Sequence, residues 1–155
     1  MITERTVTHA TFVIERSYPF SPARMFAAFA NPAIKSRWFG ADDVQTTHYE
    51  LDFRVGGHEV SRGALTNGPA YAYDAHFQDI VPEQRIVSTY EMYLNEDRIS
   101  VSVATVEFKP EGDATRLVFT EQGAYLDGLD TPAQREHGTG ELLDALGAEL
   151  ERTRP

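Results

Sequence analysis

One carboxylate stands where the strand pattern of the chain points into a core. Over residues 115–119, alternation turns Leu117 and Phe119 to the same side, and the next position on that side is Glu121. A carboxylate enclosed among apolar side chains must pair with a positive charge or have a raised pKa. Glu121 is therefore a candidate for an ion pair, for orienting a ligand or for general acid–base catalysis.

Arg135 is the cation that the sequence offers to Glu121. The C-terminal helical segment carries an apolar stripe, and at about 100° per residue Arg135 lies within about 20° of Leu142 and Leu146. A short loop separates Glu121 from the start of this helix, so the chain can bring the two charges together. We expect an ion pair that closes one end of the core, and the other two roles remain open.

Glu59 is a second carboxylate whose direction is ambiguous. One alternation turns Glu59 and Ser61 to the inside of the sheet. The other turns His58, Val60 and Arg62 inside. The period of two does not choose between them, so Glu59 is a candidate site residue with two possible orientations.

Inward positions of the other strands combine aromatic with small side chains. A run such as Ser100, Ser102 and Ala104 leaves space on an inner face, which either stays open or is filled by large neighbours such as Phe119. Ligand sites are typically concave and apolar with a few polar groups. The candidates for lining such a space are Trp38, Phe39, Glu59, Tyr71, Tyr73, Phe77, Tyr90, Met92, Ser102, Phe119, Glu121, Arg135 and Leu142. Packing beneath short helices is the alternative role for Trp38 and Phe39.

Several kinds of chemistry are excluded by what the sequence lacks. It contains no Cys, which excludes disulfides, zinc–thiolate sites and thiol nucleophiles. Its five His residues show no metal-binding spacing. The Gly-x-Ser-x-Gly, Gly-x-x-x-x-Gly-Lys and strand-linked Gly-x-Gly-x-x-Gly motifs are also absent. We therefore expect neither a metal nor a cofactor.

The charge balance argues against nucleic acid and membrane surfaces as partners. The chain has 24 acidic and 14 basic residues and a net charge of −10, without a basic patch. No apolar run approaches the roughly 18 residues of a membrane span. The first residues, MITERTVTH, lack the order of a secretory signal. The expected location is the cytoplasm.

The order of elements predicts an α+β protein. An alternating strand over residues 8–18 precedes two helix starts, Ser21-Pro22 and Asn31-Pro32. Turn residues then separate strands near 46–54, 58–65, 70–81, 85–95, 98–110 and 114–124, and the short hairpins force antiparallel pairing. A capping box at residues 131–134 opens a long C-terminal helix. We expect a curved antiparallel sheet of six to seven strands around that helix, in one domain over residues 1–155.

Five segments carry a resemblance to a known family. They are FVIER at residues 12–16, NP with RWFG within 31–40, VGG at 55–57, FQDIVPEQRIV at 77–87 and TRLVFTEQ at 115–122. In this order the sequence resembles the helix-grip fold of the START-like (SRPBCC) superfamily. Within it, the chain is similar to the branch related to the activator of the Hsp-ninety chaperone ATPase.

The resemblance implies a deep cavity between the sheet and the C-terminal helix. Its expected occupant is a small apolar or amphipathic molecule. Two alternatives are a cyclase, dehydratase or hydrolase that uses Glu121 or Glu59, and a protein-interaction module of the co-chaperone type. A monomer and a homodimer are both compatible with the sequence.

Overall fold

The elements follow the predicted α+β order in the computed structural model, which describes residues 4–40 and 44–155. They are β1 (Val7–Tyr18), α1 (Pro22–Ala30), α2 (Pro32–Trp38), β2 (Val44–Leu51), β3 (His58–Leu65), β4 (Ala70–Val81), β5 (Arg85–Leu94), β6 (Asp97–Glu111), β7 (Ala114–Leu126) and α3 (Pro132–Arg152). The seven strands, the two short helices after β1 and the long C-terminal helix confirm the predicted helix-grip architecture.

The strands form one curved antiparallel sheet in the order β1-β7-β6-β5-β4-β3-β2. Strands β2 to β7 are neighbours in sequence and in space, as short hairpins require. β1 joins the far edge beside β7, where Val7 lies opposite Leu126 and Tyr18 lies opposite Thr115. The first and last strands are therefore paired, and β7 leads directly into the loop before α3.

β2 spans Val44–Leu51 and not the predicted residues 46–54. It ends early because a tight loop follows it. In this loop the Gly57 amide donates to the Arg54 carbonyl oxygen over 2.8 Å. Gly56 has a φ of 84°. A Cβ atom on Gly57 would lie 2.1 Å from the Asp52 carbonyl oxygen, so the turn requires glycine there. This early turn fixes which residues of β3 face inwards.

The two short helices begin where the sequence predicts. The Ser21 hydroxyl accepts a hydrogen bond from the Arg24 amide over 3.2 Å, and the Asn31 side chain accepts one from the Ala33 amide over 2.9 Å. Each helix has Pro in its first turn. Their buried faces cover one end of the sheet with aromatic side chains.

α3 crosses the concave face of the sheet. The Thr131 hydroxyl accepts from the Gln134 amide over 3.1 Å and caps its first turn. Leu143, Leu146 and Leu150 are buried along one face, which anchors the C-terminal half of the helix. No helix in the described part of the chain combines the length and apolar character that crossing a membrane would require.

The interior has two unequal parts. The larger cluster joins α1, α2 and the end of α3 to the sheet around buried residues such as Met25, Phe29 and Phe108. The smaller cluster contains Ala75, Tyr90 and Ala104 on the central strands. Its alanines fill little volume, so space remains between the central strands and the first half of α3.

Candidate functional site

A pocket of about 350 Å³ lies between the sheet and α3. Its floor comes from β3 to β7, one wall comes from the first half of α3, and another comes from α2 and the start of β2. Its lining is mainly aromatic and aliphatic, with charged side chains at a few positions. The alternation of each strand positions these side chains because every second residue points to the concave face.

The structure brings together the candidate residues that the sequence supplied, with one exception. Trp38, Phe39, Glu59, Tyr71, Tyr73, Phe77, Tyr90, Met92, Phe119, Glu121, Arg135 and Leu142 all line the pocket. Ser102 lies behind the wall, where its hydroxyl donates to Glu121 Oε2 over 2.9 Å. Trp38 also packs under the helices, since its Nε1 donates to the Ala28 carbonyl oxygen over 3.0 Å.

Glu121 is fully buried and receives hydrogen bonds from three side chains. The Tyr90 hydroxyl is 2.8 Å from both carboxylate oxygens. Arg135 Nη1 lies 3.3 Å from Oε2, and this is the ion pair that helix phase predicted. Burial raises the pKa of Glu121 above its ordinary value of 4.5, although the Arg135 charge and the hydrogen bonds from Tyr90 and Ser102 act in the opposite direction.

Arg135 joins Glu121 to the start of α3 through further contacts. Its Nη1 donates to the Tyr90 hydroxyl over 2.7 Å, and its Nη2 donates to Ser100 Oγ over 2.7 Å. Nη2 also lies 2.8 Å from Asp130 Oδ2. Asp130 was missed in the sequence analysis because it lies in the loop before the helix, where no periodicity applies. The guanidinium therefore connects β5, β6, β7 and the α3 loop.

A second buried ion pair lies on the pocket wall formed by α2 and β3. Lys35 Nζ is 2.9 Å from Glu59 Oε1, and the two side chains are 7% and 1% exposed. The Tyr49 hydroxyl donates to Glu59 Oε2. Glu59 and Ser61 are both buried, so the structure selects the first of the two alternations that the sequence left open.

Lys35 was not among the predicted site residues. Its ammonium nitrogen lies 4.3 Å from the centre of the Phe39 ring and 5.7 Å from that of Trp38. Both aromatic residues follow Lys35 at helical spacings of three and four, which places all three on the same side of α2. That spacing is the signal that could have identified Lys35, because the sequence prediction had assigned no cationic partner to Glu59.

Tyr73 lies on the pocket floor, near the carboxylates of Glu59 and Glu121. Its ring centre is 4.9 Å from that of Tyr90 and 5.1 Å from that of Phe39. Burial holds the pKa of the Tyr73 hydroxyl well above its ordinary value of 10.0, and the charges of Glu59 and Glu121 act in the same direction. The hydroxyl therefore keeps its proton at physiological pH.

The arrangement is suited to enclosing an organic molecule. Among the described residues, no group of three or more His, Asp or Glu side chains could hold a metal ion. The carboxylates of Glu59 and Glu121 are held by hydroxyl and cationic donors of the protein, and that of Asp130 is paired with Arg135. The remaining surface is apolar and concave, which is the usual composition of a small-molecule site.

Comparison with known structures identifies two bacterial proteins of high similarity. The Mll3558 protein from Rhizobium loti is 52% identical with a TM-score of 0.86, over 94% of this chain and 99% of that one. An uncharacterised protein from Rhizobium leguminosarum is 47% identical with a TM-score of 0.92, over 97% of this chain and 99% of that one. Protein CV1439 from Chromobacterium violaceum, at 21% identity, has the same fold, with a TM-score of 0.76 over 89% of this chain and 94% of that one.

A family model agrees with these structural matches. No curated protein sequence gives a significant match. The model described as Activator of Hsp90 ATPase homolog 1-like protein matches residues 19–151, which confirms the resemblance found in the sequence. The chain belongs to the family of Activator of Hsp90 ATPase homolog 1-like proteins.

Proposed function

We propose that this protein binds a small apolar or amphipathic molecule in the pocket between the sheet and α3. The observation that carries this proposal is the pocket itself, with a volume of about 350 Å³ and a mainly apolar lining. Ligand sites in proteins have volumes of roughly 300–1,000 Å³ and the same kind of lining. The volume limits the ligand to a molecule with a small ring system or a short chain.

The hydrogen bonds made by the charged groups of the pocket favour a structural role for these groups. Glu121 accepts hydrogen bonds from Tyr90, Ser102 and Arg135, and Glu59 accepts them from Lys35 and Tyr49. A general base needs an oxygen within reach of the substrate proton that it removes. Because both carboxylates already bond to protein donors, we propose binding rather than acid–base catalysis.

Gly138 offers a direct way to fill the pocket. It lies on the pocket wall in α3, and a Cβ atom there would meet no atom within 4 Å beyond its chain neighbours and the adjacent helix backbone. The position therefore accepts a Cβ atom, and we expect the ring of a Gly138→Phe variant to occupy pocket volume beside α3. His137→Phe is the matched control, because the His137 side chain is 80% exposed on the same helix.

The test is calorimetric titration of the wild type with ethylnaphthalene and acetylnaphthalene, two small apolar probes. We expect binding to the wild type and to His137→Phe, and at least tenfold weaker binding to Gly138→Phe. Failure of both probes to bind the wild type would overturn the proposal. Equal binding to the wild type and Gly138→Phe would do the same, because the probe would then lie elsewhere.

A further inference from the structure

The Tyr73 hydroxyl differs from those of the other tyrosines on the pocket wall. Tyr90 donates to Glu121, and Tyr71 lies 3.1 Å from both Ser61 Oγ and Thr46 Oγ1. The Tyr73 hydroxyl forms no hydrogen bond with any described residue. The Tyr73 side chain lines the pocket, so its hydroxyl is available to hydrogen-bond a ligand there.

An unpartnered hydroxyl in an apolar pocket favours a ligand that satisfies it. A ligand that fills the pocket excludes water from this hydroxyl, and a polar group removed from water without a new partner is costly. A phenol is a stronger donor than acceptor. Since the Tyr73 hydroxyl remains protonated, its natural partner is an acceptor atom on the ligand.

The surrounding charges restrict that acceptor to an uncharged one. Lys35 and Arg135 are both paired with carboxylates at 2.9 Å or less. With Glu59, Glu121 and Asp130, the pocket wall carries three formal negative charges against two positive charges. An anionic ligand would meet this excess negative charge without a free cation to offset it.

We propose that Tyr73 donates a hydrogen bond to an uncharged acceptor, such as a carbonyl oxygen, on the bound molecule. This inference rests on the proposed function and makes it more specific. The ligand class is an apolar molecule that carries a neutral carbonyl group. Tyr73 is then the residue that distinguishes such molecules from plain hydrocarbons and from carboxylates.

The experiment compares acetylnaphthalene, ethylnaphthalene and naphthoate, substituted at the same ring position, by calorimetric titration. The wild type should bind the ketone roughly three- to tenfold more tightly than the hydrocarbon, which is the range for one neutral hydrogen bond. It should bind naphthoate most weakly. Tyr73→Phe should lose the preference for the ketone, whereas Tyr71→Phe should keep it, because the Tyr71 hydroxyl is already bonded within the protein.

Infrared spectroscopy of the bound ketone gives a readout that packing changes do not imitate. Its carbonyl stretch should move to lower frequency in the wild type and in Tyr71→Phe, and return towards its value in apolar solvent in Tyr73→Phe. Equal affinity for the ketone and hydrocarbon in the wild type would overturn this inference while leaving the proposed function intact. Preferred binding of naphthoate, or a carbonyl stretch unchanged by Tyr73→Phe, would also overturn it.

Discussion

Replacing Arg135 with Met should destabilise the protein by an amount that increases with pH. Breaking a buried ion pair by removing one partner costs about 3–5 kcal/mol. Here Glu121 keeps its bonds from Tyr90 and Ser102, and its contact with Arg135 is the longest of the set at 3.3 Å. We therefore expect the lower end of that range, about 3 kcal/mol, near pH 8. Met has an unbranched side chain and is a good helix former, so the substitution should not destabilise the helix itself.

The pH dependence follows from the raised pKa of Glu121. Burial raises this pKa above 4.5, so proton uptake by Glu121 stabilises the folded state. That stabilisation is complete below the unfolded value and is lost as the pH rises through the folded value, at about 1.4 kcal/mol per pH unit. Without the Arg135 charge the folded pKa rises further and the loss continues to higher pH. The cost of Arg135→Met should therefore be larger near pH 8 than near pH 5, by about 1 kcal/mol or more.

Equilibrium unfolding in urea measures this effect through the fluorescence of Trp38, which is the only Trp and is 3% exposed. The control is the same substitution in a Glu121→Gln background, where the cost of losing Arg135 should be smaller and independent of pH over this range. A cost that falls as the pH rises would refute the reasoning. A pH dependence that survives Glu121→Gln would assign the titration to another group.

Three further predictions use the same unfolding measurement. Gly138→Ala should stabilise the protein by up to about 1 kcal/mol, because its Cβ meets no atom within 4 Å, and a loss of stability would show that the space is occupied. Lys35→Met should cost about 3–5 kcal/mol of unfolding free energy. Adding Glu59→Gln to this variant should recover part of that loss, whereas additive costs of the two substitutions would mean that the pair is uncoupled. Thr131→Ala should cost about 1 kcal/mol through loss of the α3 cap and Thr131→Ser very little; equal losses would point to packing instead.

The parts of the site that obey a simple period could be predicted from the sequence. Strand alternation placed Glu121 inside the sheet, and the turn angle of the helix placed Arg135 on the same side as Leu142. Their ion pair at 3.3 Å depends only on these two rules and a short loop. The same rules selected the aromatic residues of β4 and β5 that line the pocket.

Other parts depend on contacts that no local period contains. The direction of Glu59 was ambiguous because it is set by the tight turn at Gly57, whose geometry fixes the alternation of β3. The spacing of Lys35 from Trp38 and Phe39 places it on their side of α2, but it does not indicate that Glu59 of β3 lies opposite. The unpartnered hydroxyl of Tyr73 follows from where other donors and acceptors lie, which only the assembled fold determines.

The two ion pairs have a common consequence for the pocket. Apolar residues of similar volume in place of a buried ion pair often stabilise a protein, so the net stability that these pairs contribute is expected to be small. Each pair instead holds a helix against the sheet by directional contacts, Lys35 on α2 and Arg135 at the start of α3. Moving either helix inwards to fill the space would break those hydrogen bonds at a cost of several kcal/mol. We therefore expect the pairs to resist the closer packing of α2 and α3 that dispersion forces alone would favour.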